Sequence, residues 1–192
     1  MVVLIEEILG EIFRQIGDIS GTSDDSKKKP KNEEDNKNDV ANFMLSGQKP
    51  LEIALKFFGS TNTAILTEEH VELVTDKDES VKFQADDLIS IEAIKDVLQK
   101  SIKKLECKKF NEKHVEFWNA LKNVTELELS DFNFSDNEKY GEVVKNMKSL
   151  EKVTIELDIY CLGFLEGVSI TCKELVLKGE AFDQIENADD LE

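Results

Sequence analysis

Arginine is almost missing from this acidic sequence of 192 residues, in which Arg14 is the single example. The formal net charge at pH 7 is −17. Proteins that bind nucleic acids neutralise phosphates with lysine and arginine, and arginine also makes the bidentate contact to guanine. The scarcity of arginine and the negative charge therefore exclude direct nucleic-acid binding from the expected functions, whereas a basic protein partner is compatible with them.

Histidine, cysteine and glycine are also scarce, with two, three and nine residues. His70 and His114 lie far apart in the sequence, and neither belongs to a motif that supports a nucleophile or a general base. No glycine-rich phosphate loop is present, and Cys107 and His114 lack the spacing of a zinc site. We therefore expect a protein that is not an enzyme and that needs no cofactor and no metal.

Long apolar runs are absent too, so no membrane span is expected. Glu6, Glu7 and Glu11 interrupt the apolar N-terminus, which therefore does not resemble a signal peptide. The odd number of cysteines indicates reduced thiols. These features predict a cytoplasmic or nuclear protein. Residues 27–31, KKKPK, are similar to a short nuclear-import signal, although chance explains such a run in a lysine-rich stretch as well.

The N-terminal region, residues 1–19, has the pattern of an amphipathic helix. Apolar residues recur at steps of three and four from position 2 to position 19, while the acidic residues face the other way. Residues 20–40 contain almost no apolar side chains and mix both charges, which is typical of a flexible linker. The sequence thus predicts a helix that is tethered to the rest of the protein.

Residues 41–84 are expected to form a small α+β segment that caps the following domain. A helix is predicted to begin after Pro50, and strands are predicted at 63–66 and 70–75. The second of these strands should form a hairpin with residues 81–83 across a polar turn. A further amphipathic helix is predicted at 88–100.

The C-terminal region, residues 85–192, contains a repeat. Four segments share an apolar-x-x-apolar-x-apolar pattern, whose equivalent central positions are Leu105, Leu127, Val153 and Leu175. These positions are 22, 26 and 22 residues apart, and a fainter copy is found at Phe83 and Ala85. Helical or irregular return segments are predicted between them, at 111–121, 135–149 and 159–171, the second opening with a capping box at Ser135 and Glu138.

This pattern resembles the leucine-rich-repeat family over roughly residues 80–185. The resemblance implies an α/β fold, namely an irregular solenoid with a curved parallel sheet and an exposed concave face that binds proteins. The sequence departs from the family because the usual Asn or Cys after each strand is missing; the corresponding positions are at or near Phe110, Phe132, Asp158 and Glu180. An α+β domain whose spacing is coincidental is the alternative.

Strand alternation predicts which side chains the concave face would display. One row across the strands alternates in charge and should neutralise itself: Lys104, Glu126, Lys152 and Glu174. The middle row is the predicted partner-binding site, because two adjacent carboxylates there are expected to lack a partner: Glu106, Glu128, Thr154 and Val176. Leu127 and Leu175 should both lie in the packed core beneath this face.

The N-terminal helix is a second candidate binding element. It could dock into a groove of a partner through its apolar stripe: Ile5, Leu9, Ile12, Phe13 and Ile16. Alternatively, it could cap the end of the solenoid, or pair with a second copy in a homodimer through residues 2–19. Binding to a membrane surface is the least favoured, because its polar face is acidic.

These observations lead to a functional hypothesis. The chain is expected to be a non-catalytic protein–protein interaction module, an adaptor or an inhibitor, that uses a leucine-rich-repeat face and its N-terminal helix. The alternative is an acidic chaperone or mimic that covers a basic surface of a histone, a ribosomal protein or an enzyme acting on nucleic acid. A pocket lined by His70 or His114 with neighbouring carboxylates would instead indicate an enzyme.

Overall fold

The computed structural model of the chain describes residues 2–21, 39–109, 111–130, 137–156 and 171–179. Its strands are β1 Thr61–Leu66, β2 Val71–Thr75, β3 Ser80–Phe83, β4 Lys104–Cys107, β5 Glu126–Leu129, β6 Lys152–Glu156 and β7 Glu174–Lys178. Its helices are α1 Val2–Gly21, α2 Asp39–Leu45, α3 Gln48–Ser60, α4 Ala85–Ile89, α5 Glu92–Ser101, α6 Val115–Ala120 and α7 Asn137–Lys145. The protein is an α/β protein with one mixed, mostly parallel sheet of seven strands.

The strands lie in the order β3-β2-β1-β4-β5-β6-β7. β1 and β4 to β7 run parallel, and the hairpin β2–β3 extends the sheet antiparallel beside β1. The predicted register of the repeat is confirmed, because Leu105, Leu127, Val153 and Leu175 are paired residue by residue across β4 to β7. The predicted hairpin is also present.

The fainter copy of the repeat at Phe83 and Ala85 was wrongly assigned. The parallel neighbour of β4 is β1, in which Ala64 pairs with Leu105. Phe83 instead lies in the antiparallel edge strand, because the hairpin and two helices are inserted between β1 and β4. The same sheet therefore continues across the expected boundary between residues 84 and 85, and the described residues form one mixed sheet rather than a row of like units.

Two helices differ from their predicted bounds. The helix predicted at 88–100 is divided into α4 and α5, because Ile91 has an extended backbone and Ser90 Oγ donates to the carbonyl of Asp87. The helix α3 begins at Gln48, so Pro50 lies within its first turn. Backbone N–H groups of the first turn have no partner within a helix, so the missing N–H of proline costs no hydrogen bond there.

The core lies on one face of the sheet. Alternate residues of each strand point towards the helices, and those at the centre are fully buried: Ala64, Leu73, Leu105, Leu127 and Val153. In the helical layer, Trp118 of α6 donates to Met147, which follows α7, at 3.0 Å from Nε1 to Sδ. Each strand also has a second set of side chains that points away from these helices.

Several predicted features lie outside the described residues. They are most of the linker, the KKKPK run, Ser135 of the capping box, nearly all of the third return segment, and the four positions where the repeat family has Asn or Cys.

The structure distinguishes the two leucines that the sequence places in the core. Leu127 is 1% exposed, whereas Leu175 is 47% exposed, because β7 is the last described strand and is less covered. We expect Leu127→Asp to destabilise the protein by at least about 3 kcal/mol, since it buries a charge, and Leu175→Asp to cost less than about 1 kcal/mol. Urea unfolding of both variants tests this, and equal losses would contradict the register or the burial.

Candidate functional site

The side chains that point away from the helices form a surface that we call the open face. It runs across all seven strands, and its charged members are six carboxylates and four lysines: Glu72, Glu106, Glu126, Glu128, Glu156, Glu174, Lys82, Lys104, Lys152 and Lys178. The parallel register places them in rows, because residues with the same pairing position point to the same side. The open face thus displays both charges in rows.

An ion-pair network occupies the middle of the open face. Lys104 Nζ lies 2.6 Å from Glu106 Oε1 on its own strand and 3.1 Å from Glu128 Oε2 on the next strand. Lys178 Nζ reaches Glu128 from the other side, at 3.2 Å, and spans β6 to do so. Thr154 of β6, the strand that Lys178 spans, lines a depression together with Lys178 and is only 6% exposed.

The expectation that Glu106 and Glu128 lack partners is wrong. The hydrogen bond from Lys104 holds the pKa of the Glu128 carboxyl below its usual value, against the opposing effect of partial burial. Partial burial also acts to lower the pKa of Lys104, but its hydrogen bonds to Glu106 and Glu128 outweigh that effect and raise it. The predicted middle row is therefore largely neutralised by Lys104 and Lys178, which belong to the rows on either side of it.

The predicted self-neutralising row is only partly paired. Lys152 and Glu174 form the expected cross-strand ion pair, at 3.3 Å. Glu126 lies directly opposite Lys104 but forms no ion pair with the described residues, because Lys104 bonds to Glu106 and Glu128 instead. Glu126 also lines a shallow depression of about 190 Å³ beside Thr154 and Val176. The unpaired carboxylates of the open face thus differ from those that the sequence predicted.

The N-terminal helix α1 packs against the rest of the chain. Phe13 is 1% exposed, and its ring centroid lies 5.4–5.9 Å from those of four other phenylalanines: Phe43, Phe57, Phe58 and Phe83. Such tilted and edge-on pairs each add roughly 0.5–1.5 kcal/mol beyond area burial. In this arrangement, Phe13 is a core residue and is covered by its own chain.

The other predicted docking residues of α1 are divided. Leu9 and Ile16 are partly buried against the core, whereas Ile12 is exposed and the side chain of Ile5 lies outside those described. Ion pairs from Arg14 to Glu79 and from Lys49 to Glu6 also link α1 to its neighbours, at 3.0 and 3.3 Å. The apolar stripe is therefore used mostly within the chain.

A cleft of about 620 Å³ lies between α1, α3 and the turn that joins β2 to β3. Apolar residues in it include Phe13, Ile53 and Phe57, and its lining carries four acidic and four basic residues: Glu6, Glu52, Asp76, Glu79, Arg14, Lys49, Lys56 and Lys77. Gly10 lies at its wall, and a Cβ placed there would meet nothing within 4 Å. Sequence reasoning missed this cleft, since it depends on how α1 packs.

The two histidines are brought together at the ends of the parallel strands. His70 directly precedes β2, and His114 ends a 3-10 helix at Glu112–His114. Both Nδ1 atoms are buried and have no hydrogen-bond partner among the described residues. Burial lowers the pKa of both imidazoles, and the charge of His70 lowers the pKa of His114 further, whereas Asp86 acts in the opposite direction.

The histidine pair could not be found from the sequence. His70 and His114 are far apart in the chain, and only the pairing of β1 with both β2 and β4 brings their loops to the same edge. Neither histidine lines the cleft of α1, the depression near Thr154, or a third hollow between α4 and α6. The pocket with a histidine that would have indicated an enzyme is not among these three.

No protein-family model, curated protein or solved structure matches this chain. Within the described ranges, no helix is long and apolar enough to cross a membrane. In the same part of the chain, no three His, Cys, Asp or Glu side chains come together as a metal ion would require. A function for the chain must therefore be inferred from the surfaces of its described residues.

Two glycines of α1 provide a matched test of its packing. A Cβ at Gly17 would meet Val81 Cγ1 far inside van der Waals contact and Phe83 Cε1 at 2.8 Å, whereas a Cβ at Gly10 has open space. We expect Gly17→Ala to lower the free energy of unfolding by about 1–3 kcal/mol through overpacking, and Gly10→Ala to raise it by about 0.5–1 kcal/mol through helix propensity. Urea unfolding measures both, and stabilisation by both alanines would show that α1 does not pack on β3.

The histidines predict a pH dependence of stability. Burial lowers the pKa of His114 in the folded state. The neutral imidazole therefore contributes fully to the free energy of unfolding above the unfolded pKa of about 6.5, and this stability is lost as the pH falls below that value. In His114→Leu, we expect the loss of unfolding free energy between pH 7.5 and 5.5 to be smaller, by up to about 1.4 kcal/mol per pH unit. Urea unfolding across this range gives both slopes, and equal slopes would contradict the prediction.

Proposed function

We propose that the chain is a non-catalytic protein-binding module that uses the open face of its sheet. The observation that carries this proposal is a seven-strand face whose displayed side chains lie in register and are not covered by the described helices. A sheet surface with fixed rows of charges suits recognition of another protein surface, because charge complementarity gives specificity and correct orientation. The hollows found on the described chain give weaker support to a small-molecule site.

The partner proposed for this face is a protein with a basic surface. Three carboxylates of the open face form no ion pair with the described residues: Glu72, Glu126 and Glu156. The remaining charges on β4 to β7 are already paired, as with Lys104 and Glu128. Lysine or arginine side chains of a partner would therefore find acceptors at the three unpaired sites without breaking the network.

The proposed function includes a proposal about the origin of the parallel strands. We infer that β4 to β7 descend from a degenerate leucine-rich-repeat array, in which the open face corresponds to the concave face. Support comes from the 22- and 26-residue steps between paired positions and from the helices α6 and α7 that return between parallel strands. In this view, α1, α2, α3 and the β2–β3 hairpin form the cap at the first repeat.

The runner-up is an acidic chaperone or mimic with a basic partner. The net charge of −17 favours it, but on the open face four lysines partly offset the six carboxylates, which favours a patterned contact over a diffuse one. Salt distinguishes them, because diffuse attraction is screened strongly and a fitted contact less so. We place either activity in the cytoplasm or the nucleus, where cysteines such as Cys107 and Cys172 stay reduced.

The test uses a charge change on the open face. Glu126→Lys removes an exposed, unpaired carboxylate from β5, and Glu142→Lys makes the same change at an exposed site on helix α7. We expect a partner that is captured from cell lysate by the wild-type chain to be lost with Glu126→Lys and kept with Glu142→Lys. Once the partner is purified, titration calorimetry should show at least about a tenfold weaker affinity for Glu126→Lys only.

The same experiment can reject the proposal. Equal binding by wild type and Glu126→Lys, with circular dichroism showing both folded, would exclude the open face around β5. Equal weakening by both variants, together with complete loss at high salt, would instead support the acidic mimic, because a diffuse field responds to charge wherever it is placed.

A further inference from the structure

The sheet ends in two edge strands, β3 and β7, and each is paired with a described strand on one side only. At one edge, α1 packs on β3, with Gly17 against Val81 and Phe83. At the other edge, β7 pairs with β6 on one side and with no described strand on the other. An edge strand with unpaired backbone groups is a template for pairing with another chain, so the β7 edge is the natural place to look for a second interaction surface.

The backbone of β7 shows which residues would form such a pairing. Glu174 donates its backbone N–H to the carbonyl of Glu151 at 2.9 Å, so this residue faces the interior of the sheet. Because backbone directions alternate along a strand, Val176 and Lys178 face β6 as well, whereas Leu175 and Leu177 direct their N–H and C=O groups outwards. The outward groups therefore belong to the two leucines.

We propose that the β7 edge pairs antiparallel with β7 of a second copy of this chain, with the two-fold axis at Val176. In this register, the outward groups of Leu175 in one copy bond to those of Leu177 in the other, which gives about four backbone hydrogen bonds across the axis. Val176 of each copy would face the other at a closely spaced, non-hydrogen-bonded position. The pairing needs no residue outside Glu174–Lys178.

Charge complementarity identifies the occupant as a second copy. Two-fold pairing about Val176 puts Glu174 of each copy directly opposite Lys178 of the other, on the open face. Both residues also form ion pairs within the chain, to Lys152 and Glu128, but their side chains are 58% and 57% exposed, so they can be shared across the axis. A strand that is self-complementary in this way fits its own copy better than an arbitrary strand.

Apolar contact supports the same register. Leu175 is 47% exposed although the equivalent residues of β4 to β6 are buried: Leu105, Leu127 and Val153. In the pairing, Leu175 of one copy faces Leu177 of the other on the helical side of the sheet, and each covers part of the other. The open faces of the two copies then lie on the same side and form one continuous surface. Pairing at the β7 edge does not depend on the proposed partner, since it can form even if the open face binds nothing.

The experiment uses two single charge reversals of the full chain and their mixture. Glu174→Lys and Lys178→Glu each place like charges opposite one another at both symmetric sites of a homodimer. When the two variants are mixed, every Lys of one faces a Glu of the other, so a heterodimer regains complementarity. By sedimentation equilibrium at low salt, we expect wild type to dimerise, each variant alone to dimerise at least about tenfold more weakly, and the mixture to recover.

If the mixture dimerises again, the weaker dimers of the single variants cannot result from damage to the fold. Each variant still lacks its internal ion pair in the mixture, and only the charges across the interface have become complementary. Glu142→Lys on α7 serves as a control of equal charge change and should dimerise like wild type. The proposal would be overturned if the wild type stayed monomeric up to about 100 µM, because an interface that weak would not matter. A dimer that Glu174→Lys leaves unchanged would also overturn it, because the interface would then lie elsewhere, for example on α1.

Discussion

Ala64, Leu105, Leu127 and Val153 form a continuous apolar row across four parallel strands, and the helices on their side of the sheet cover this row. Because the other side carries no described helix, every strand must alternate between a buried and a displayed residue. A register shift of one residue would expose this row and bury charges instead. The fixed register of the core row thus also fixes the order of the charges on the open face.

The backbone fixes where each charged side chain of the open face begins, but it does not fix which ion pairs these side chains form. A lysine side chain is long and flexible, so Lys104 can bond along its own strand and diagonally to the next instead of directly across to Glu126. Lys178 even reaches over a whole strand to Glu128. The rows could therefore be predicted from strand alternation, while the ion pairs could not, because several partners lie within reach of each ammonium group.

The predictable part of the fold is the part with local signals. The strands β4 to β7 share an apolar pattern that recurs every 22 to 26 residues, so their register followed from residues such as Leu105 and Val153. The position of β1 did not follow, because a hairpin and two helices separate it from β4 and no local signal tells which distant strands will pair. For the same reason, neither the approach of His70 to His114 nor the burial of Phe13 among four aromatic rings was visible.

The two edge strands of the sheet differ in how their core-facing side chains are covered. At β3, the missing side chain of Gly17 lets α1 approach Val81 and Phe83 closely, so the helix covers that end of the core. The same glycine weakens the helix in isolation, which means that α1 depends on this packing for much of its stability. At β7, the displayed residues Glu174 and Lys178 are charged while Leu175 is exposed. Charges on an edge strand discourage pairing with other strands. Glu174 and Lys178, however, have opposite signs and lie symmetrically about Val176, so an antiparallel second copy would place each opposite its complement. The charges of β7 would therefore favour pairing with its own copy over pairing with other strands.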